Sequence, residues 1–177
     1  MKRPEFEHAI RAAAAILGID QLLIIGSQAI HASLEKPFTE AMRSIEVDIA
    51  VLKGDYESSA DLIDGSIGEL SMFQETFGYY AQGVVPSTAV LPSGWRKRLI
   101  PYKTAATEGV TALCLEPHDL WISKVIAGRE KDGEFCDAMI RRGMVDKGIL
   151  FKRLKTIKGL APETIELVIA KIDKIDK

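Results

Sequence analysis

The stretch Leu22-Leu23-Ile24-Ile25-Gly26-Ser27-Gln28-Ala29-Ile30 joins an apolar run to a glycine-serine turn and the start of a short helix. About one helix later, Ser44-Ile45-Glu46-Val47-Asp48-Ile49-Ala50-Val51 alternates polar and apolar residues. An apolar run bounded by a turn is typical of a buried strand, and alternation with a period of two is typical of a strand with one polar face. We therefore predict strands over Leu22–Ile25 and Glu46–Leu52.

The second of these strands carries two carboxylates. Successive residues of a strand point to opposite faces, so Glu46 and Asp48 are expected side by side on one face. Their mutual repulsion must be offset by solvent or by a cation. Mg²⁺ is commonly held by one or two carboxylates together with substrate phosphates, so the pattern favours a site for a metal-bound triphosphate.

The glycine-serine turn can supply the phosphate contacts of such a site. Gly26 allows the backbone to approach a ligand closely, and Ser27 is predicted to cap a helix that begins at Gln28. The free N–H groups at a helix N-terminus bind phosphate well. A simpler interpretation stays open, because strand-to-helix turns often use Gly and Ser for conformational reasons alone, and alternating charges often form a solvated strand face.

Lys124 is the second feature of the sequence that suggests chemistry. Pro117–Ala127 is predicted to be a helix with one apolar arc, and Lys124 falls at the edge of that arc. Burial of the arc would fix the helix and leave the Lys124 ammonium free to reach a phosphate. Alternatively, the charged residues that follow form an ordinary salt-bridged surface where two helices meet, and Lys131 in particular is expected to be solvated.

At these residues the chain resembles the nucleotidyltransferase superfamily that includes DNA polymerase beta. More narrowly, it is similar to small nucleotidyltransferase-like proteins related to the AbiEii-type abortive-infection toxins. The resemblance covers most of residues 20–142, and its later part lies in Glu116–Lys124 and Gly128–Asp132. It implies an α+β fold, with a polymerase beta-like core and a mixed sheet, followed by C-terminal helices.

The resemblance also implies a function and a set of site residues. The expected activity is transfer of a nucleotidyl group from an NTP to RNA or protein, with Mg²⁺ or Mn²⁺ as cofactor. The resemblance also implies a role within a toxin-antitoxin or phage-defence pair, with a cognate antitoxin or toxin as partner. The implied metal ligands are Glu46 and Asp48, the implied nucleotide-binding residues are Gly26, Ser27, Lys124 and Arg129, and Asp132 is an accessory residue near the site.

Two departures from the family pattern keep a second function open. The first carboxylate of the family is usually Asp, and here it is Glu46. The segment Gly83–Leu91, which should carry a third carboxylate, has no acid. Because such a group commonly orients or deprotonates the attacking hydroxyl, the chain could instead be a catalytically degenerate module that binds nucleotide or a partner protein. A partner protein would then be expected to contact the C-terminal helices.

Composition predicts one compact unit, with a core over residues 1–115 and a helical part over 116–177 packed on it. Of the 177 residues 47% are hydrophobic, and the net charge is -2, so no global basic field recruits nucleic acid. Trp95–Arg98 is a concentrated basic run, which either grips RNA or forms a charged turn anchored by its tryptophan.

Cysteine usage and hydropathy indicate the cellular setting. Cys114 and Cys136 are too few for a disulfide framework and are expected to be buried thiols. No apolar run approaches the length needed to cross a bilayer, so a cytoplasmic protein without membrane contact is expected.

The other predicted elements follow from apolar periodicity and from Gly and Pro positions. They comprise a first helix with Pro4 in its first turn and Gly18 at its stop, a helix over Gln28–Leu34, a loop over Pro37–Arg43, a helix over Asp55–Leu70, a hairpin of Gly78–Val85 and Ser87–Leu91, a strand over Val110–Leu115, and helices over Glu130–Arg142, Lys147–Ile157 and Pro162–Ile175.

Overall fold

A five-stranded mixed sheet organises the α+β fold in the computed structural model, which describes residues 1–175. The strand order across the sheet is β3-β2-β1-β5-β4. The strands are β1 Gln21–Ile24, β2 Glu46–Ala50, β3 Tyr80–Gly83, β4 Ile100–Tyr102 and β5 Thr111–Cys114.

Eight α-helices and several short 3₁₀ helices surround this sheet in the described part of the chain. The α-helices are α1 Arg3–Leu17, α2 Thr39–Met42, α3 Tyr56–Ile67, α4 Met72–Phe77, α5 Pro117–Ala127, α6 Glu130–Arg141, α7 Lys147–Leu154 and α8 Pro162–Asp173. The 3₁₀ helices are Ser27–Ala32, Pro86–Thr88, Trp95–Arg98 and Ala105–Thr107.

The apolar strand β1 lies in the middle of the sheet. It pairs antiparallel with β2, where Leu23 faces Ala50, and parallel with β5, where Ile24 faces Cys114. Strand β2 also pairs parallel with β3, and this register sets Asp48 beside Gln82. The prediction that three strands, β1, β2 and β5, share a mixed sheet is confirmed.

The predicted hairpin of Gly78–Val85 and Ser87–Leu91 is wrong. Only Tyr80–Gly83 is a strand, and it pairs with β2 rather than with the segment that follows it. Pro86 begins a 3₁₀ helix, because proline has no N–H to donate to a ladder and its fixed φ suits a helical first turn.

Three further elements differ from the sequence-based expectation. The predicted loop over Pro37–Arg43 contains the short helix α2. Helix α4 was not expected, and β4 was expected only as a strand-like piece after the basic run. α4 begins where the Ser71 hydroxyl caps Gln74 N–H, after the predicted helix over Asp55–Leu70 has already ended at Ile67.

Helices α1 and α5 form as the sequence predicts. α1 ends at Gly18, whose φ of +64° is the left-handed conformation that glycine adopts without penalty. α5 begins at Pro117 and ends before Gly128, and its Trp121 is fully buried, with the indole N–H donating to Cys136 O at 3.3 Å. A single apolar core includes residues from α1, the sheet and α8.

The basic run Trp95–Arg98 is a structural turn. Arg98 donates to both carboxylate oxygens of Asp119, at 2.8 and 3.0 Å, and Asp119 is completely buried. Arg153 donates to the same carboxylate at 2.9 Å. Arg96 lies over the Trp95 ring, 4.8 Å from its centroid. This geometry favours the alternative of a charged turn, but its anchor is the pairing of Arg98 with buried Asp119, whereas Trp95, expected as a buried anchor, is half-buried.

Both cysteines are buried thiols, as expected. Over residues 1–175, no helix has the length and apolar character that a membrane crossing requires.

Candidate active site

One cavity of about 280 Å³ contains most of the predicted site residues. It opens between the ends of β1 and β2, the segment after β3, and the junction of α5 with α6. Five of the seven predicted residues line it, although the sequence separates them by up to about a hundred positions. They are Gly26, Asp48, Lys124, Arg129 and Asp132.

Position 26 requires glycine because there is no space for a side chain. Its φ of −80° is open to any residue, so the left-handed region plays no part. A Cβ added to Gly26 would lie 1.6 Å from Asp48 Oδ2 and 2.7 Å from Asp48 Cγ. The Asp48 carboxylate therefore lies directly against the Gly26 backbone, which brings one predicted metal ligand and the predicted phosphate turn into contact.

Ser27 does not cap a helix in the way predicted. The helix here is a 3₁₀ helix that starts at Ser27 itself, with Gly26 at the N-cap position and no side-chain cap. The reason lies in Gln28, which is fully buried and donates to Ala41 O at 3.1 Å, so the segment is fixed by its side chains. Ser27 is not among the residues that line the cavity.

Glu46 lies beside the cavity and has a partner on each carboxylate oxygen. Tyr80 OH donates to Oε2 at 2.9 Å, and Lys131 Nζ lies 3.1 Å from Oε1. Burial alone would raise the pKa of Glu46, but the hydrogen bonds and the charge of Lys131 outweigh it and lower that pKa. Lys131 is 60% exposed, as expected for a solvated lysine, but its ion pair with Glu46 was not predicted.

Asp48 has the opposite electrostatic environment. Burial raises its pKa, the Lys124 charge works against that rise, and the neighbouring Glu46 charge adds to it. Two adjacent carboxylates with pKa values shifted in opposite directions are typical of a functional carboxylate pair. A cation bound between them would relieve the cost of ionising Asp48.

Lys124 points into the cavity but is not free. Its Nζ lies 2.9 Å from Asp132 Oδ1, and the two side chains are only 14% and 3% exposed. The other oxygen, Asp132 Oδ2, is buried and has no hydrogen-bond partner within the described chain. The Arg129 Nε atom lies 3.9 Å from it. A buried carboxylate oxygen that lines a cavity without a donor is a position that a ligand could satisfy.

Among the residues that the structure describes, Glu46 and Asp48 are the only carboxylates on the strands of the sheet. The strand neighbour of Asp48 is Gln82, which also lines the cavity. Within residues 1–175, no group of three or more His, Cys, Asp or Glu side chains is placed to hold a metal ion. A metal at Glu46 and Asp48 would therefore need ligand oxygens, such as phosphate, to complete its coordination.

Several cavity residues were missed by the sequence analysis. Ser123 precedes Lys124 on α5, and Gln82 and Thr88 come from the segment predicted as a hairpin. Ser123 could have been inferred from its place beside Lys124. The position of Gln82 depends on the register between β3 and β2, which the sequence does not specify.

Comparison with known proteins agrees with this geometry at the level of the family. Residues 5–173 match the family described as nucleotidyltransferases of unknown function, DUF6036. Neither the curated proteins nor the solved structures gave a match. Because the match covers nearly the whole chain and the cavity joins the glycine turn, the strand carboxylate and the lysine helix, the protein belongs to this nucleotidyltransferase family.

Proposed function

We propose that this protein transfers a nucleotidyl group from an NTP to a hydroxyl on RNA or protein, with Mg²⁺ or Mn²⁺ held by Glu46 and Asp48. The observation that carries the proposal is the meeting of Gly26, Asp48 and Lys124 in one cavity. Gly26 and Asp48 meet because β1 and β2 pair, with Ile25 N–H donating to Asp48 O at 3.2 Å, whereas Lys124 comes from the separate helix α5.

The residues present fit a divalent cation that arrives with a nucleotide. Asp48 is partly desolvated and next to a second carboxylate, so a cation would stabilise its ionised form. The absence of a third acidic ligand in the described chain suits Mg²⁺, which usually keeps few protein ligands and takes phosphate oxygens. When bound, the metal would supply Lewis-acid stabilisation of the phosphate charge.

The other side chains have distinct roles in this proposal. Lys124 and Arg129 offset the negative charge of the triphosphate, and the backbone N–H of Gly26, which lines the cavity, donates to one of its oxygens. An acceptor hydroxyl attacks the α-phosphorus, a new P–O bond forms, and the bond to pyrophosphate breaks. The hydroxyl proton passes to Asp132 Oδ2, the unpartnered oxygen at the cavity wall.

A second candidate function is a nucleotide-binding or protein-interaction module that has lost catalysis. It is favoured by the lack of an acid in Gly83–Leu91, the segment expected to carry the third carboxylate, and by the neutral Gln82 beside Asp48. In either case the proposal includes a cytoplasmic setting and a partner from a toxin-antitoxin or phage-defence system. Closeness to the AbiEii-type toxins stays a prediction.

The proposal is tested with purified protein and each α-³²P-labelled NTP, in Mg²⁺ or Mn²⁺, with total RNA or co-expressed protein as acceptor. We expect label on one acceptor class, and its loss in Asp48→Asn and Asp132→Asn. Glu46→Asp, which introduces the commoner family residue, should retain part of the activity.

Calorimetry separates the two candidate functions. Binding of NTP with Mg²⁺ but no labelling in any condition would favour the degenerate module. No NTP binding by the wild type at millimolar concentration would exclude nucleotidyl transfer and a nucleotide-binding module, and leave a protein-interaction module as the remaining function.

A further inference from the structure

The ion pair between Lys131 and Glu46 places an ammonium where a divalent cation would bind. We infer that Lys131 acts as an internal counter-ion at Glu46, which a divalent cation displaces and which then binds the triphosphate. The inference rests on the proposed function. It adds Lys131 as a substrate-binding residue and explains why binding of the metal and binding of the nucleotide would favour each other.

The contacts of Glu46 support the first half of the inference. Lys131 Nζ lies 3.1 Å from Oε1, and Tyr80 OH donates to Oε2 at 2.9 Å, so both oxygens have a donor. A hydroxyl hydrogen bond is compatible with metal ligation by the other oxygen. An ammonium at 3.1 Å is not, because it repels a divalent cation at the same oxygen.

The two lysines of the site differ in mobility. Lys124 is 14% exposed and paired with the buried Asp132. If Lys124 left that pair, a buried carboxylate would lose its counter-charge, which is costly. Lys131 is 60% exposed, and exposed ion pairs hold their partners weakly. Lys131 can therefore leave Glu46 at little cost, whereas Lys124 remains in place.

The position of Lys131 supports the second half. It lies in the first turn of α6, two residues after Arg129, which lines the cavity. An ammonium released from Glu46 would remain at the rim of this cavity, close to a bound triphosphate. Binding of the cation would then free a positive charge for the nucleotide, and each ligand would favour the other.

This coupling predicts effects of opposite sign in one variant. Lys131→Met removes the competitor, so Mn²⁺ alone should bind about threefold to fivefold more tightly, the scale of an exposed ion pair. The same variant lacks a phosphate ligand, so a non-hydrolysable NTP analogue in the presence of saturating Mn²⁺ should bind several-fold more weakly. Mn²⁺ binding is measured by electron paramagnetic resonance and analogue binding by calorimetry.

Two control variants separate competition from a general effect of charge. Arg129→Met removes one positive charge from the cavity rim, from a side chain that is 63% exposed and is paired with Asp132 rather than with Glu46. It should change the affinity for Mn²⁺ alone much less than Lys131→Met. Lys131→Arg keeps a cation within reach of Glu46 and should bind Mn²⁺ like the wild type.

The outcomes distinguish this inference from the proposed function. If the wild type binds Mn²⁺ and the analogue, and Lys131→Met binds both with unchanged affinity, the role of Lys131 is overturned and the proposed function stands. Equal tightening of Mn²⁺ by Arg129→Met and Lys131→Met would also overturn it. If neither wild type nor Lys131→Met binds Mn²⁺ or the analogue, both proposals fail.

Discussion

Replacing Gly26 by alanine should damage the site while leaving the fold in place. The backbone at Gly26 has φ −80°, which alanine adopts without strain, so the whole effect comes from the added Cβ. That atom would lie 1.6 Å from Asp48 Oδ2, roughly 2 Å closer than an optimal non-bonded separation of about 3.5 Å. The Asp48 carboxylate must therefore move by about that distance.

The expected cost in stability is small. Overpacking of this kind costs about 1–3 kcal/mol, and the Gly-to-Ala change returns about 0.4–1 kcal/mol by restricting the unfolded chain. The free energy of unfolding should therefore fall by roughly 0–2.5 kcal/mol, or a few degrees in Tm for a chain of this size. In contrast, a shift of about 2 Å in a metal ligand should reduce metal-dependent NTP affinity at least tenfold, since binding sites require ligand placement to about 0.5 Å.

A double-mutant cycle attributes this loss to the contact between Gly26 and Asp48. In an Asp48→Ala background the clashing oxygen is absent and only a contact of 3.2 Å with the Cβ of residue 48 remains, so adding Gly26→Ala should lower the melting temperature much less. The assay combines thermal melts of the four proteins with calorimetry of NTP in Mg²⁺. If Gly26→Ala binds NTP like the wild type, or costs as much stability without Asp48 as with it, the contact has no role in shaping the site.

Three other perturbations have definite expected results. Lys124→Ala should weaken NTP binding, and Lys124→Arg should restore it poorly, because a planar guanidinium does not replace a compact ammonium beside Asp132. Wild-type NTP affinity in both variants would contradict the role of Lys124. Asp48→Asn should unfold at a higher temperature than the wild type at pH 7 in the absence of metal. Burial raises the pKa of Asp48 above its ordinary value of 3.8, so the wild type loses stability as pH rises through the raised pKa and Asp48 ionises. Near pH 3, where Asp48 is protonated, the melting temperatures of the two proteins should converge. The pKa of Glu116 is shifted in the opposite direction: burial opposes ionisation, but hydrogen bonds from His118 and Arg153 lower the pKa to about 2. The wild type should therefore lose stability as pH falls from about 4.5 to about 2. Glu116→Gln should lack that loss in an acid titration followed by circular dichroism.

The elements with strong local signals were predictable from sequence. α1 and α5 have an apolar stripe, a proline in the first turn and a glycine at the stop, and both form as predicted. Strand β2 was predictable because its polar and apolar residues alternate. These signals are local, so they survive without knowledge of the tertiary contacts.

The region from Ser71 to Tyr102 was mostly not predictable. Strand β3 is four residues long and pairs with β2, which precedes it by about thirty residues, rather than with its neighbour. The three-residue strand β4 contains Pro101 and pairs at the sheet edge with β5. Such short strands have little propensity signal of their own, and their pairing depends on the rest of the sheet.

The candidate site was predictable as a set of residues but not as a set of contacts. Gly26, Asp48 and Lys124 were identified from residue type and spacing. Their partners were not, because the pairing of Lys124 with Asp132 and of Glu46 with Lys131 depends on how α6 turns back after Gly128. The division into residues 1–115 and 116–177 stays a prediction.

The contacts of Arg98 fix the segment that follows one wall of the cavity. Arg98 donates to the carbonyl of Ser93, and Ser93 donates twice to Thr156 after α7, from its backbone N–H and from its hydroxyl. Thr88 and Val90, which line the cavity, come just before the segment from Ser93 to Arg98 in the chain. That segment is held in place by the hydrogen bond from Arg98 to Asp119. Access from that side would break several buried or paired contacts. Arg129, which lines the cavity at the start of α6, is 63% exposed and can move at little cost, so the ligand proposed for this cavity would disturb the fold least on that side.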